Sequence, residues 1–323
     1  MPYENVDGTE VLQELLTERD TQLQEKPLPA INIGQAIPVK EDLIPGIDFS
    51  MYGVNSVVGR TDDGIIGIKT TSVKTIDANI EFKKSPVADW GKGAIWTQLE
   101  VDRVTNLGMN LETKKLDSLY ANAMATIQRA GYIGHKDVVG QEGLLNSADV
   151  KIYNDTSGKT IADMTGEEVV AFILNVYNLA WKQSEYSVAP DTIAMDAEDF
   201  MALCQKFDQS SAIVGVDLMP ISALQKIRSA LNSAQQNANG TDININFVRV
   251  PSKMARGIKS GKTRLAVYIN DEDYVNMSAE MPILLPVQPK GLMGYEAGYK
   301  ARFSGAKWLE PQSAYYGDYK TSV

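Results

Sequence analysis

The sequence predicts an α+β protein. Three observations lead there: an opening stretch broken by prolines, a polar two-strand pattern ahead of one long amphipathic helix, and a later region where helices and strands alternate irregularly before a strand-rich close. A regular βαβ wind would alternate its elements evenly. The 323 residues allow about two domains, or one large one, with ample core.

The elements follow in order. Residues 10–26 carry Val11, Leu12, Leu15 and Leu16 at helical spacing, after which Pro27, Pro29, Pro38 and Pro45 break every longer pattern. Residues 1–58 therefore read as an arm, ordered only if laid against something larger. Over 59–93, Ala78, Ile80 and Phe82 alternate with Asp77, Asn79 and Glu81, between Gly64 and Gly67 on one side and Gly91 and Gly93 on the other. Such a hairpin has too little apolar surface for a core of its own, so it packs on its own chain or lies across a neighbouring copy. Residues 110–131 read as one long helix through Leu116, Leu119, Ala123, Ile127 and Ala130, with Gly131 as a stop. Thr165 and Glu168 form a capping box for a helix presenting Val169, Ile173, Val176 and Ala180 on one face. Further helices are expected over 196–207 and from Pro220, the latter through Ile221, Leu224, Ile227 and Leu231. Strand patterns occupy 192–195, 243–250 and 265–269, and the last forty residues, rich in Gly, Tyr and Pro, read as extended segments.

Composition excludes several function classes. A net charge of −10 repels polyanions, which disfavours a protein that grips nucleic acid through its phosphates. One histidine, His135, and one cysteine, Cys204, cannot make a Cys/His zinc site, a Cys-x-x-Cys pair, an iron–sulfur cluster or a disulfide. The hydrophobic fraction of 44% and charged fraction of 22% belong to a folded chain. No apolar run approaches the ~20 residues of a membrane span, and the start lacks the pattern of a secretion signal. A soluble protein of a reducing cytoplasm is expected.

The search for chemistry returns no cofactor, metal or catalytic site. Gly257-Ile258-Lys259-Ser260-Gly261-Lys262-Thr263 has three residues between its glycines where a phosphate-binding loop needs four, with Arg256 in place of the first glycine, and it enters a strand pattern instead of a helix. His135 stands in a loop, and no Gly-x-Ser-x-Gly turn presents a nucleophile to it, so it reads as a surface or cap residue. Cys204 reads as a small buried hydrophobe beside Phe200, Leu203 and Phe207. Glu167-Glu168 and Asp271-Glu272-Asp273 read as helix-start and turn features. The closing aromatics, Tyr295, Tyr299, Trp308, Tyr315, Tyr316 and Tyr319, read as packing.

The order of parts resembles the major capsid proteins of tailed bacteriophages, the Hong Kong 97-like phage capsid fold shared with encapsulin shells. The residues carrying the resemblance are the long helix over 110–131, the loop Gly143-Leu144-Leu145-Asn146 and the helix over 165–184. With them go the strand Ala189-Pro190-Asp191-Thr192-Ile193-Ala194-Met195 running into Asp196-Ala197-Glu198-Asp199-Phe200, and the Gly/Tyr-rich return over 281–319.

The resemblance implies an N-terminal arm over 1–58 and an extended hairpin loop over 59–95 that overlaps an adjacent subunit. It further implies a peripheral domain over 96–150 and 286–323 built on a long spine helix, and an axial domain over 151–285. The function implied is self-assembly into hexamers and pentamers of an icosahedral shell that encloses a double-stranded DNA genome without sequence-specific binding, with no enzyme activity. Arg60, Asp62, Lys69, Lys74, Asp77, Glu81, Lys83, Lys84 and Lys92 become candidate inter-subunit contacts, interleaved charges that suit register and partner choice. Many relatives carry a removable scaffolding region ahead of the arm. Only the arm precedes the shell-like part here, so a separate scaffolding protein is expected, with portal and decoration proteins as further partners. The location implied is the virion capsid, assembled in the host bacterial cytoplasm. An encapsulin-like compartment and, more remotely, a soluble nucleotide-binding enzyme using residues 257–263 are the alternatives. On the leading reading, residues 1–93 are incomplete by themselves and take their shape from identical copies.

Overall fold

The computed structural model describes residues 31–58, 77–105, 111–208, 221–239, 245–252, 254–255 and 261–321. In chain order, helix α1 (Ile33–Ala36) and strand β1 (Val39–Lys40) precede an antiparallel hairpin of β2 (Phe49–Val58) and β3 (Asp77–Thr97). Helices α2 (Gln98–Thr105) and α3 (Leu111–Ile133) follow, then β4 (Lys151–Asn154), α4 (Gly166–Gln183), β5 (Thr192–Asp196) and α5 (Ala197–Gln205). The two-residue strands β6 (Phe207–Asp208) and β7 (Ile221–Ser222) pair with each other ahead of α6 (Ala223–Asn239). Strands β8 (Asn246–Val250), β9 (Thr263–Tyr268), β10 (Val275–Leu284), β11 (Gln288–Pro289), β12 (Gly294–Trp308) and β13 (Tyr315–Tyr319) complete the order.

The chain divides into two compact units. Among the described residues, Lys92–Asn122 and Leu284–Tyr299 make up the smaller one, while Ala30–Gly91, Ala123–Ile283 and Lys300–Val323 belong to the larger. In the smaller unit β11 pairs antiparallel with β12, Gln288 opposite Glu296, and Trp96, Leu119 and Ala297 are buried.

Besides the β6/β7 pair, the described strands form two larger sheets. One runs β1-β10-β12-β3-β2; the other runs β4-β13-β9-β5-β8, with parallel pairs at β4/β13 and β5/β8 and antiparallel pairs at β13/β9 and β5/β9. This mixture is the α+β arrangement expected. Strand β9 is buried along its whole length. Its period-two alternation sends Leu265 and Val267 into one core cluster, with Val169, Ile173, Val176 and Ile193, and Ala266 and Tyr268 into a second, with Tyr132, Leu144, Phe303 and Trp308. The expected face of α4 is the buried one, and its capping box is formed: the Thr165 side chain accepts from the Glu168 amide, and the Glu168 carboxylate accepts from the Thr165 amide.

Four expectations change. Residues 31–40 do not wait for a neighbour to give them shape, because Ile33, Ala36 and Ile37 are buried in the second cluster of their own chain. Asn32 receives a bond from the Tyr132 hydroxyl, and β1 runs parallel to β10 with Val39 opposite Met277. The base of the hairpin is likewise held at home, where Ser85 and Pro86 are buried and Ala88 and Trp90 pack on that cluster. The hairpin pairs from Phe49 onward, ten residues before the sequence pattern begins, since the register of β2 against β3 extends from Phe49 opposite Pro86 to Val58 opposite Asp77. Helix α6 starts at Ala223, with Ile221 in strand β7; Pro220 lies outside the described residues. Cys204 is half-buried, because a residue one position on from the buried Leu203 is rotated ~100° away from the core face, and Phe207 is exposed, because α5 ends at Gln205 and Phe207 stands in the short strand β6 beyond it.

Candidate functional site

The hairpin is the first candidate. Residues opposite each other in an antiparallel pair share a face, and the faces alternate. Tyr52 stands opposite Lys83, and both turn toward the chain's own body. Lys83 Nζ lies 2.5 Å from Asp149 Oδ2, and burial, followed by the nearby Asp149 and Glu142 charges, pushes the Tyr52 hydroxyl up to about 12. The other face carries Phe49, Met51 and Phe82, which are 54%, 59% and 65% exposed, together with exposed Lys84. An apolar ridge of this kind on a sheet face is unusual for a free surface.

The sequence-predicted contact residues divide accordingly. Arg60, Asp62, Lys69 and Lys74 lie outside the described residues. Asp77 and Glu81 occupy β3 opposite Val58 and Val54. Lys83 is held by Asp149, while Lys84 and Lys92 are exposed. Reasoning from charge passed over Phe49 and Met51; their spacing of two, matching the alternation through Phe82, was the available signal.

The loop Gly143-Leu144-Leu145-Asn146 is a structural keystone. Leu144 and Leu145 are fully buried, and their amides donate to the Gly131 and Tyr132 carbonyls at the end of α3. The Asn146 side chain donates to the Ile133 carbonyl at 2.6 Å, one of the carbonyls that the helix end leaves open, and accepts from the Gly143 amide of its own loop. A Cβ on Gly143 would stand 2.4 Å from the Ile133 nitrogen, so only glycine fits. The Tyr316 hydroxyl donates to the Leu144 carbonyl. Arg264 reaches the same loop from β9: its Nη1 donates to the Leu145 carbonyl at 2.8 Å, while Nε and Nη2 grip the two Asp318 oxygens at 2.6 and 2.8 Å, and the guanidinium sits 4.7 Å over the Tyr316 ring.

No group of three or more His, Cys, Asp or Glu could hold a metal, and no helix is long and apolar enough to cross a membrane, among the described residues. Lys307 Nζ donates to Ser278 Oγ, a nucleophile–base geometry, and burial lowers the lysine; but both side chains are sealed in the core, out of reach of any solute. His135 follows α3, accepting weakly from the Asp137 amide at 3.4 Å. Residues 256–260 of the glycine-rich loop lie outside the described residues, and Thr263 opens strand β9, where a phosphate-binding loop would open a helix. Of the closing aromatics, Trp308, Tyr316 and Tyr319 are buried, and Tyr299 packs edge-on against Tyr120.

One buried carboxyl gives the larger unit a pH response. Asp199 Oδ2 accepts from the Tyr319 hydroxyl at 2.6 Å, and burial raises Asp199 to about 6, against the pull of that bond and with the Asp196 and Glu198 charges adding to the rise. The folded chain thus keeps this proton to higher pH than the unfolded chain. Stability from this group is full below about 4 and is lost as pH rises through about 6, on the order of 2–3 kcal/mol in all. Asp199→Asn keeps the acceptor and removes the titration. Its urea midpoint relative to wild type is expected to rise between pH 4.5 and 7.5, and a difference that stays constant over that range would contradict the assignment.

Comparison with known proteins places these features in context. The profile of a family described as "Major capsid protein" matches residues 62–319. No curated protein matches the chain by sequence. Among solved structures, the capsid of Myoviridae phage XM1 is similar at a TM-score of 0.73 and 16% identity, over 95% of this chain and 97% of that one. A chain of Mycobacterium phage Adephagia is similar at 0.61 and 11%, over 99% of each. The capsid of a native GTA particle is similar at 0.64 and 10%, over 99% and 100%.

Proposed function

The chain belongs to the major capsid protein family and builds an icosahedral shell, and from that premise we propose that its copies assemble as hexamers and pentamers around double-stranded DNA, with the β2–β3 hairpin laid across a neighbouring subunit. The observation that carries the hairpin's role is its two-sidedness. One face is fastened to its own body through Lys83 and Asp149, and the other offers Phe49, Met51 and Phe82 to whatever lies beyond. The candidate charges from Arg60 to Lys92 then set register around that apolar contact, since exposed pairs contribute only ~0–1 kcal/mol each.

The remaining roles follow the same reading. Residues 1–58 act as the arm, although 31–40 are rooted in the subunit's own core. Residues 96–150 with 286–323 form the peripheral domain on α3 as spine, and 151–285 the axial domain that meets its copies around the symmetry axes. The wall's negative charge confines DNA without adhesion or sequence-specific binding. A separate scaffolding protein, a portal and decoration proteins complete the particle, which forms in the cytoplasm of the host bacterium.

Expressed protein viewed in negative stain is expected to form closed particles or capsomers. Phe82→Glu, on the exposed side of the hairpin, is expected to leave circular dichroism unchanged and to lower particle yield at least tenfold. A compact 35.4 kDa monomer under all assembly conditions would overturn the shell reading, and particles formed normally by Phe82→Glu would overturn the hairpin's role. Particles holding an enzyme cargo in place of DNA would identify the encapsulin-like alternative.

A further inference from the structure

We infer that Arg302 is the positioning residue that fixes the direction in which the β2–β3 hairpin leaves the subunit. The inference rests on the proposed role of the hairpin and adds to it the group that aims it.

The leg that leads into β2 has no anchor of its own. Residues 41–48, which join β1 to β2, bury no side chain. In their middle Pro45 and Gly46 make a tight turn: Gly46 takes φ +86°, the left-handed value that the third position of a type II turn requires, and the Ile47 amide closes on the Ile44 carbonyl at 3.4 Å. A turn closed by one long bond is loosely held by itself. Arg302, on β12, grips it at both ends, with Nη1 donating to the Ile44 carbonyl and Nη2 to the Ile47 carbonyl, each at 2.7 Å.

The same guanidinium meets the other leg. Its Nε lies 2.5 Å from Asp89 Oδ1 on β3, just beyond Pro86, where the pairing with β2 begins opposite Phe49. Between these points the Val87 amide donates to the Asp48 carbonyl at 2.8 Å and ties the legs to each other. One side chain, itself only 11% exposed, thus holds both legs at the root. Because the Asp89 carboxylate is largely exposed, its ion pair contributes little, and the two carbonyl bonds carry the aim. The planar fork of an arginine fixes the angles at which its acceptors stand, whereas a lysine, a point charge on a flexible stem, does not.

A rod fixed at one point still turns about it. The hairpin's second fastening is the Lys83–Asp149 pair, ~20 Å further along β3 at the rise of a strand. Two fastenings so far apart define a line, and loss of the buried one leaves the hairpin free to swing about the other.

The test uses full-length subunits in dissociated form, where the hairpin has no neighbour. Spin labels at Lys84→Cys, on the hairpin, and Lys151→Cys, on β4, in a Cys204→Ser chain are expected to give one narrow distance distribution by pulsed electron resonance. Arg302→Lys is expected to widen it about twofold, to keep the melting temperature of the subunit and, without labels, to lower particle yield roughly tenfold. Should Arg302→Lys fail to fold, Gly46→Val decides in its place: nothing lies within 4 Å of its Cβ position, so its effect falls on the turn alone. A distribution of wild-type width overturns the inference even if particles are lost, and a broad one with normal assembly overturns it too. A wild-type chain that never leaves the monomer overturns the shell reading, a failure told apart because the distances are read without assembly.

Discussion

Asp318→Ala is expected to cost the larger unit about 3–5 kcal/mol, a large share of the 5–15 kcal/mol that holds a typical domain together. Asp318 and Arg264 stand directly opposite each other on β13 and β9, and their side chains are almost wholly sealed from water. The paired oxygens answer two nitrogens of the guanidinium, and the Leu145 carbonyl answers a third. Removing the carboxylate leaves a desolvated cation with one neutral acceptor, which is the costly way to break such a pair. Chemical denaturation of dissociated subunits measures the loss. Replacing both partners, Arg264→Met with Asp318→Leu, is expected to recover most of it, because no charge then remains buried. If Asp318→Ala proves neutral, the clamp does not hold β9, β13 and the Gly143–Asn146 loop together.

Gly305→Ala is expected to be the most damaging single methyl group in the chain, at about 3 kcal/mol or more. Its Cβ would stand 2.0 Å from the Glu142 carbonyl oxygen and 2.8 Å from Gln141 Cγ. The oxygen belongs to the backbone immediately before Gly143, so relief requires moving the keystone loop and with it Leu144 and Leu145. Gly34→Ala is the control: nothing lies within 4 Å of its Cβ position, and the residue sits inside α1, where alanine is favoured. Melting temperatures of the two variants are expected to move in opposite directions. Equal, small shifts would contradict the close packing of β12 against the loop.

What the sequence revealed was whatever repeats over a short distance. The capping box at Thr165 and Glu168, the apolar stripe of α3 and the run into Asp196 lie within a few turns of chain, and local periodicity suffices to read them. The order of such parts also carried the likeness to phage capsids. Arg264 and Asp318 are 54 residues apart, and the Tyr268 hydroxyl meets the Ala36 carbonyl across 232 residues; no periodicity announces such meetings. For the same reason the segment between Pro29 and Pro38 read as part of an arm, although Ile33 and Ile37 fill the core. On the hairpin, attention to charge favoured Lys83, which is occupied by Asp149, over Phe49 and Met51, which are not covered. Exposure depends on what the far side of a strand packs against, and that belongs to tertiary structure.

The Tyr268–Ala36 bond has a bearing on assembly. Closing a contact across 232 residues carries a loop-entropy cost that the bond alone does not offset, so it depends on the packing around it. Until it forms, Ile33 and Ile37 have no bed, and the cluster on which Ala88 and Trp90 rest is unfinished. The hairpin's footing is therefore set only in a copy whose distant segments have already met. On the proposed role of the hairpin, a copy whose distant segments have not met offers a neighbour no finished footing.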